Sequence, residues 1–121
     1  VALVLLVDDE EAISSVVAML LELKAHRVVV AANGADALHA AKQQPPDVVV
    51  TDLMMPVMDG LALCRELERD PALKLVPVVM MSAATKMLEE AHCDGDHRLR
   101  KPFEAAELFA IVDAALGRNG R

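Results

Sequence analysis

A doubly wound α/β domain with a parallel sheet is predicted by three features of the 121-residue chain. Short apolar runs alternate strictly with stretches whose apolar residues recur every three or four positions, the signatures of buried strands and amphipathic helices. Each strand is followed by a helix long enough to cross back, so neighbouring strands run parallel and helices cover both faces. The central runs, Val48-Val49-Val50 above all, are apolar without alternation, as strands buried on both faces are.

The elements follow in order. Ala2 to Val7 is the first strand and ends on Asp8-Asp9. Glu10 to Lys24 is a helix with Ile13, Val16, Val17, Leu20 and Leu21 on its inner face, and the acids Asp9, Glu10 and Glu11 suit its N-terminal dipole. Arg27 to Ala31 is the second strand, and Asn33-Gly34 turns the chain. Ala37, Leu38 and Ala41 mark a short second helix that stops before Pro45-Pro46. The third strand, Val48 to Asp52, leads into a loop with Pro56 and Asp59-Gly60. Leu61 to Arg69 is the third helix, closed by Asp70-Pro71. Pro77 to Ser82 is the fourth strand, Lys86 to Ala91 a weak fourth helix, and Asp94-Gly95 a turn. His97 to Lys101 is the fifth strand, whose Arg98 and Arg100 suit a sheet edge. Glu104 to Leu116 is the last helix, with Leu108, Ile111, Val112 and Ala115 inside. Ile13, Val16, Leu20, Val49, Val79, Ile111 and Val112 are expected to be mostly buried, with strand one central.

Composition bounds the function. The length fits one domain, residues 1–117, with 118–121 a tail or the start of a linker. A hydrophobic content of 55% excludes disorder. Phe103 and Phe109 are the sole aromatics, too few for a base-stacking surface, and the net charge of −7 argues against a nucleic-acid-binding face. Cys64 and Cys93 are too few for a disulfide framework, so reduced thiols in a cytoplasmic protein are expected. No apolar run reaches membrane-spanning length, and Val1 to Val7 lacks the basic flank of a signal peptide. The chain opens without Met, as an excised segment would. His26, His39, His92 and His97 lack ligand spacing and read as surface residues. Met54, Met55 and Met58 read as core and loop packing rather than a soft-metal box.

The polar strand ends carry the chemistry. In an open parallel sheet, ligands bind beyond the carboxyl ends of the strands. Asp8, Asp9, Asp52, Ser82 and Lys101 all stand there. Each has a plainer reading on its own: helix cap for Asp8 and Asp9, loop cap for Asp52, turn residue for Ser82, solvated edge charge for Lys101. Together, three carboxylates in one cleft call for a cation, and oxygen ligands completed by water favour Mg²⁺. A carboxylate can attack phosphorus and form an acyl phosphate. A metal ion and Lys101 would neutralise the transferring group, and the Ser82 hydroxyl could donate to it.

Val7-Asp8-Asp9-Glu10, Asp52-Leu53-Met54-Met55-Pro56-Val57-Met58-Asp59-Gly60, Met81-Ser82-Ala83 and Lys101-Pro102-Phe103 together resemble the receiver domain of two-component response regulators, the CheY-like superfamily. The resemblance covers essentially the whole chain. It implies a flavodoxin-like sheet of order 2-1-3-4-5. It implies that Asp52 is the phosphoacceptor for a phosphohistidine of a histidine kinase or a histidine phosphotransfer protein. It also implies that Asp9, Asp52 and the backbone carbonyl of Met54 bind Mg²⁺ directly, with Asp8 acting through water. Ser82 and Lys101 would contact the phosphoryl group, with Lys101-Pro102 cis. An effector domain on the same chain or a homodimer is the expected further partner; no nucleic acid or membrane is expected for this domain.

Two departures from the family pattern stand out. Arg98 occupies the position, three before the lysine, where receivers usually carry Tyr, Phe or His. Ser82 and Lys101 stand only 19 positions apart, so helix four is expected to be short or mobile and Arg98 to point outward. Two other classes of function are open at this point. A phosphohydrolase working through an aspartyl phosphate would need a general acid beside Asp52, where Leu53 and Met54 stand. A flavodoxin-like FMN binder would need aromatics and a Ser/Thr/Gly-rich phosphate loop.

Overall fold

The computed structural model describes residues 2–90 and 97–117. Its strands are Leu3–Val7 (β1), Arg27–Ala31 (β2), Val48–Asp52 (β3), Val78–Ser82 (β4) and His97–Arg100 (β5). Its helices are Glu11–Leu23 (α1), Gly34–Gln43 (α2), Gly60–Arg69 (α3), Thr85–Glu90 (α4) and Ala105–Ala115 (α5). All strand pairs are parallel, in the order β2-β1-β3-β4-β5. β3 is therefore the middle strand and β1 its interior neighbour, rather than β1 being central. The expected turn at Asp94-Gly95 lies outside the described residues.

Side-chain alternation along the strands divides the core in two. Leu5, Val7, Val49 and Met80 face α2 and α3, packing with Ala37, Ala41, Leu63 and Leu67. Val4, Leu6, Val48, Val50, Val79 and Met81 face α1 and α5, packing with Val17, Leu21, Leu108 and Val112. All of these are nearly inaccessible to solvent, and each fully buried Val or Leu contributes about 1.5–3 kcal/mol. The edge strands are the exposed ones, β2 at Val29 and Val30 and β5 at Arg98 and Arg100. The described part of α4 is Thr85–Glu90, so the length expected of this helix is not settled by the described residues.

Three expectations are corrected. α1 turns Ser14, Val17 and Leu21 inward, leaves Ile13 and Leu20 half-buried and exposes Val16 by 52%. Val16 stands about 100° from Val17 around the helix, just off the buried face. Ile111, like Ile13 and Leu20, packs partly buried against the core, and Val49, Val79 and Val112 are buried, so of the seven residues expected to be buried only Val16 departs from the expectation. His26 is buried at the start of β2, and its Nδ1 accepts from the Ala2 N–H at 3.3 Å. His39 is exposed and His97 half-buried; His92 is outside the described residues. Cys64 is buried and in a disulfide, not reduced. Sequence spacing does not reveal which thiols a fold brings within bonding range. Cys93, the chain's other cysteine, lies outside the described residues.

The loop between β3 and α3 is unusual. Met55 and Met58 pack against the core, while Met54, Pro56 and Val57 are exposed. Met58 N–H donates to the Pro56 carbonyl at 2.8 Å, closing a γ-turn around Val57 at φ 69°. Positive φ in a β-branched residue costs about 1–3 kcal/mol and persists only when neighbours hold it.

Candidate functional site

The site forms because β1, β3, β4 and β5 are adjacent and their carboxyl ends are in register. Val7 lies beside Thr51, Asp52 beside Met81, and Ser82 beside Arg100. Asp8 and Lys101, the residues that follow β1 and β5, then enter the same space as Asp52 and Ser82, which end β3 and β4. Asp8 N–H still donates to Ala31 O at 3.1 Å, and Lys101 N–H to Ser82 O at 3.0 Å, so both follow the sheet to its end. The cleft above them has a volume of about 380 Å³ and is lined by Asp9, Glu10, Asp52, Met54, Ser82 and Lys101.

Asp8 and Asp52 are 3% and 7% exposed, so both carboxylates are largely removed from bulk water. Lys101 Nζ stands 3.4 Å from Asp8 Oδ2 and 3.5 Å from Asp52 Oδ1, bridging them. Asp8 Oδ1 accepts the Glu10 N–H at 2.9 Å, which fixes the entry to α1. Ser82 Oγ accepts the Ala84 N–H at 3.0 Å, leaving its hydroxyl proton available to the cleft. The Lys101-Pro102 peptide is cis.

Carboxylate oxygens of Asp8, Glu10 and Asp52 lie within 4.8 Å of one another. Among the described residues these three form the oxygen cluster suited to a hard cation. Asp9 lines the same cleft, exposed, without belonging to that cluster. Glu10 was not singled out from the sequence as a ligand. Its one sequence signal was its place after the acidic pair, which equally fits the helix N-cap it occupies.

Burial drives the Asp52 pKa above its ordinary value; Lys101 opposes this, and the negative charges of Asp8 and Asp9 add to it. A carboxylate whose folded pKa is raised binds its proton more tightly in the native state, so the native state loses stability as pH rises through that pKa. Without divalent ions, Asp52→Asn is therefore expected to be more stable than the unaltered chain at neutral pH. The difference should shrink as pH falls through the raised Asp52 pKa. Urea melts of both proteins in EDTA across acidic to neutral pH check this; a difference independent of pH would reject it.

Residues 4–113 match the family described as response regulator receiver domain. The chain is 35% identical over 98% of its length to the DNA-binding dual master transcriptional regulator RpaA of Synechocystis sp., covering 50% of it. It is 32% identical over 96% of its length to the alkaline phosphatase synthesis transcriptional regulatory protein PhoP of Bacillus subtilis, covering 49% of that protein. The chain thus spans about half the length of the curated relatives it matches. Among solved structures it resembles the receiver domain of a sensor histidine kinase from Pseudomonas aeruginosa, with a magnesium ion in the active-site cleft of that protein. The TM-score is 0.87 at 29% identity, covering 96% of this chain and 98% of that one. It also resembles the chemotaxis protein CheY4 of Vibrio cholerae, with a TM-score of 0.84 at 29% identity, covering 94% of this chain and 98% of that one.

Proposed function

The chain belongs to the response regulator receiver domain family, and from that premise we propose that Asp52 is its phosphoacceptor and Mg²⁺ its cofactor. The carrying observation is the meeting of Asp8, Glu10 and Asp52 around one point, with Lys101 bridging Asp8 and Asp52. The oxygen-only donor set fits a hard cation, and Lys101 supplies positive charge to the two buried acids, Asp8 and Asp52.

In this reading Asp52, the Met54 carbonyl and Asp9, which lines the cleft outside the clustered oxygens, would hold the ion, Asp8 would act through water and Glu10 would be a further acid beside it. When bound, Mg²⁺ supplies charge neutralisation for the transferring phosphoryl group. An Asp52 carboxylate oxygen attacks phosphorus, the bond from phosphorus to the donor's imidazole nitrogen breaks, and an acyl phosphate forms. Lys101 turns from the carboxylates to a phosphoryl oxygen, and the Ser82 hydroxyl donates to another. Water later attacks the same phosphorus, the bond from phosphorus to the Asp52 oxygen breaks, and inorganic phosphate leaves as the carboxylate returns. The domain thus promotes its own phosphorylation and dephosphorylation and acts on no other substrate. Neither the phosphohydrolase nor the flavin reading is carried forward, since the relatives and structural neighbours are regulators and receivers.

The partners proposed are a phosphohistidine-bearing kinase or phosphotransfer protein and an effector domain or second copy. In this reading residues 1–117 are the receiver and 118–121 a tail or the start of a linker, in a cytoplasmic setting. No helix among the described residues is long and apolar enough to cross a membrane. The output route is expected to depart from the family habit. Arg98 is exposed on β5, and burying its guanidinium to follow a movement of Ser82 would cost several kcal/mol, about the penalty of desolvating an ion.

The test is incubation with acetyl phosphate followed by intact mass measurement. With Mg²⁺ the chain should gain one phosphoryl group, labile to hydroxylamine as an acyl phosphate is. With EDTA the gain should fall to background. Equal incorporation in both would remove the metal from the mechanism.

A further inference from the structure

Gly34 begins α2 and is not among the residues that line the cleft. Its N–H donates to the Met58 carbonyl at 3.0 Å, joining α2 to the loop that follows Asp52. A Cβ on Gly34 would stand 2.5 Å from that carbonyl oxygen and 2.8 Å from Met58 Cγ. Any side chain at position 34 would therefore force one of the two elements to move.

The side that yields is the loop. α2 is fixed by the Asn33 cap, whose Oδ1 accepts the Asp36 N–H at 2.9 Å, and by Ala37 and Ala41, both fully buried in the core. The loop is exposed at Met54, Pro56 and Val57 and carries the costly positive φ at Val57. A conformation of that kind survives only where its surroundings hold it. Two bonds do so: Gly34 N–H to Met58 O on one side, and Gly60 N–H to Leu53 O, at 2.8 Å, on the other. Met54, which does line the cleft, lies between them.

We propose that Gly34 is a positioning residue for the cation site: it clamps Met58, holds the strained loop in shape and thereby sets the Met54 carbonyl over the cleft. This rests on the reading of Met54 as a ligand given above. Outer supports of metal ligands act in this way, and their loss weakens metal binding without removing a ligand.

Mn²⁺ serves as the probe, its free concentration read by electron paramagnetic resonance. Gly34→Ala is expected to bind Mn²⁺ about tenfold more weakly while remaining folded by circular dichroism. Asn33→Ala, which removes the cap of the same helix without pushing on the loop, is expected to lower the melting temperature and leave Mn²⁺ affinity unchanged. In the unaltered chain, exchange of the Gly34 amide proton is expected to slow on adding Mg²⁺, because ligation of Met54 stiffens the loop whose carbonyl that proton bonds. The exchange measurement decides the matter if Gly34→Ala does not fold. A folded Gly34→Ala with unaltered Mn²⁺ affinity, an Asn33→Ala equally weakened, or a Gly34 amide indifferent to Mg²⁺ overturns the inference alone. An unaltered chain that binds no Mn²⁺ overturns the reading of the cleft and the inference with it.

Discussion

Asp52→Asn is expected to abolish phosphoryl incorporation from acetyl phosphate completely. An amide lacks the anionic oxygen that attacks phosphorus, and no neighbour replaces it. Asp8 is held by Lys101 and by the Glu10 N–H, and Asp9 is solvent-exposed outside the clustered acids. The usual objection to such a result, that the variant unfolds, is met by the sign of the Asp52 shift. Burial raises its pKa, so the ionised group opposes folding at neutral pH and the neutral amide relieves that cost. The variant should thus be inactive and at least as stable as the unaltered chain. Intact mass after reaction and a urea melt on the same preparation check both halves. Phosphoryl incorporation that survives Asp52→Asn would sink the assignment of the acceptor.

Lys101→Met should destabilise the metal-free chain by about 3 kcal/mol, the order seen when one partner of a buried ion pair is removed. The Lys101 side chain is 14% exposed and the Asp8 side chain 0%, so water does little to replace the lost charge. Asp52 loses the one influence that lowers its pKa and should take up a proton at higher pH than before. Mg²⁺ restores positive charge to the same acids, so the loss should be smaller with Mg²⁺ than with EDTA. Adding Asp52→Asn should recover part of it, since charges in contact do not act additively. Urea unfolding of the two single variants and the double variant, each with EDTA and with Mg²⁺, measures these differences. A loss equal in both conditions would make Lys101 a packing residue rather than the counter-charge of the site.

The linear chain determined the architecture and pointed to the proposed acceptor. Val48-Val49-Val50 has no polar face and reads as a strand covered on both sides, and five short strands alternating with helices are the pattern of a parallel sheet. Parallel strands bring their carboxyl ends to one edge, which is why the sequence alone points to Asp8, Asp9, Asp52, Ser82 and Lys101 as candidates for one site. Tertiary structure decided what depends on rotation, register and contact between distant segments. Val16 and Val17 are both apolar and both suit an inner face by spacing; the core that includes Leu6 and Val50 takes in Val17 and leaves Val16 exposed. His26 is polar and evenly spaced from nothing, yet the approach of Ala2 buried it. Glu10 entered the acidic cluster because Asp8 accepts its N–H and thereby sets the first turn of α1. The clamp of Gly34 on Met58 joins residues 24 positions apart, and no local pattern encodes it. Hydrophobic periodicity records which face of an element is covered. Which neighbour covers it, and how closely, is fixed only when the backbones meet, because steric contact and hydrogen bonding act over a few ångströms in space and not along the chain.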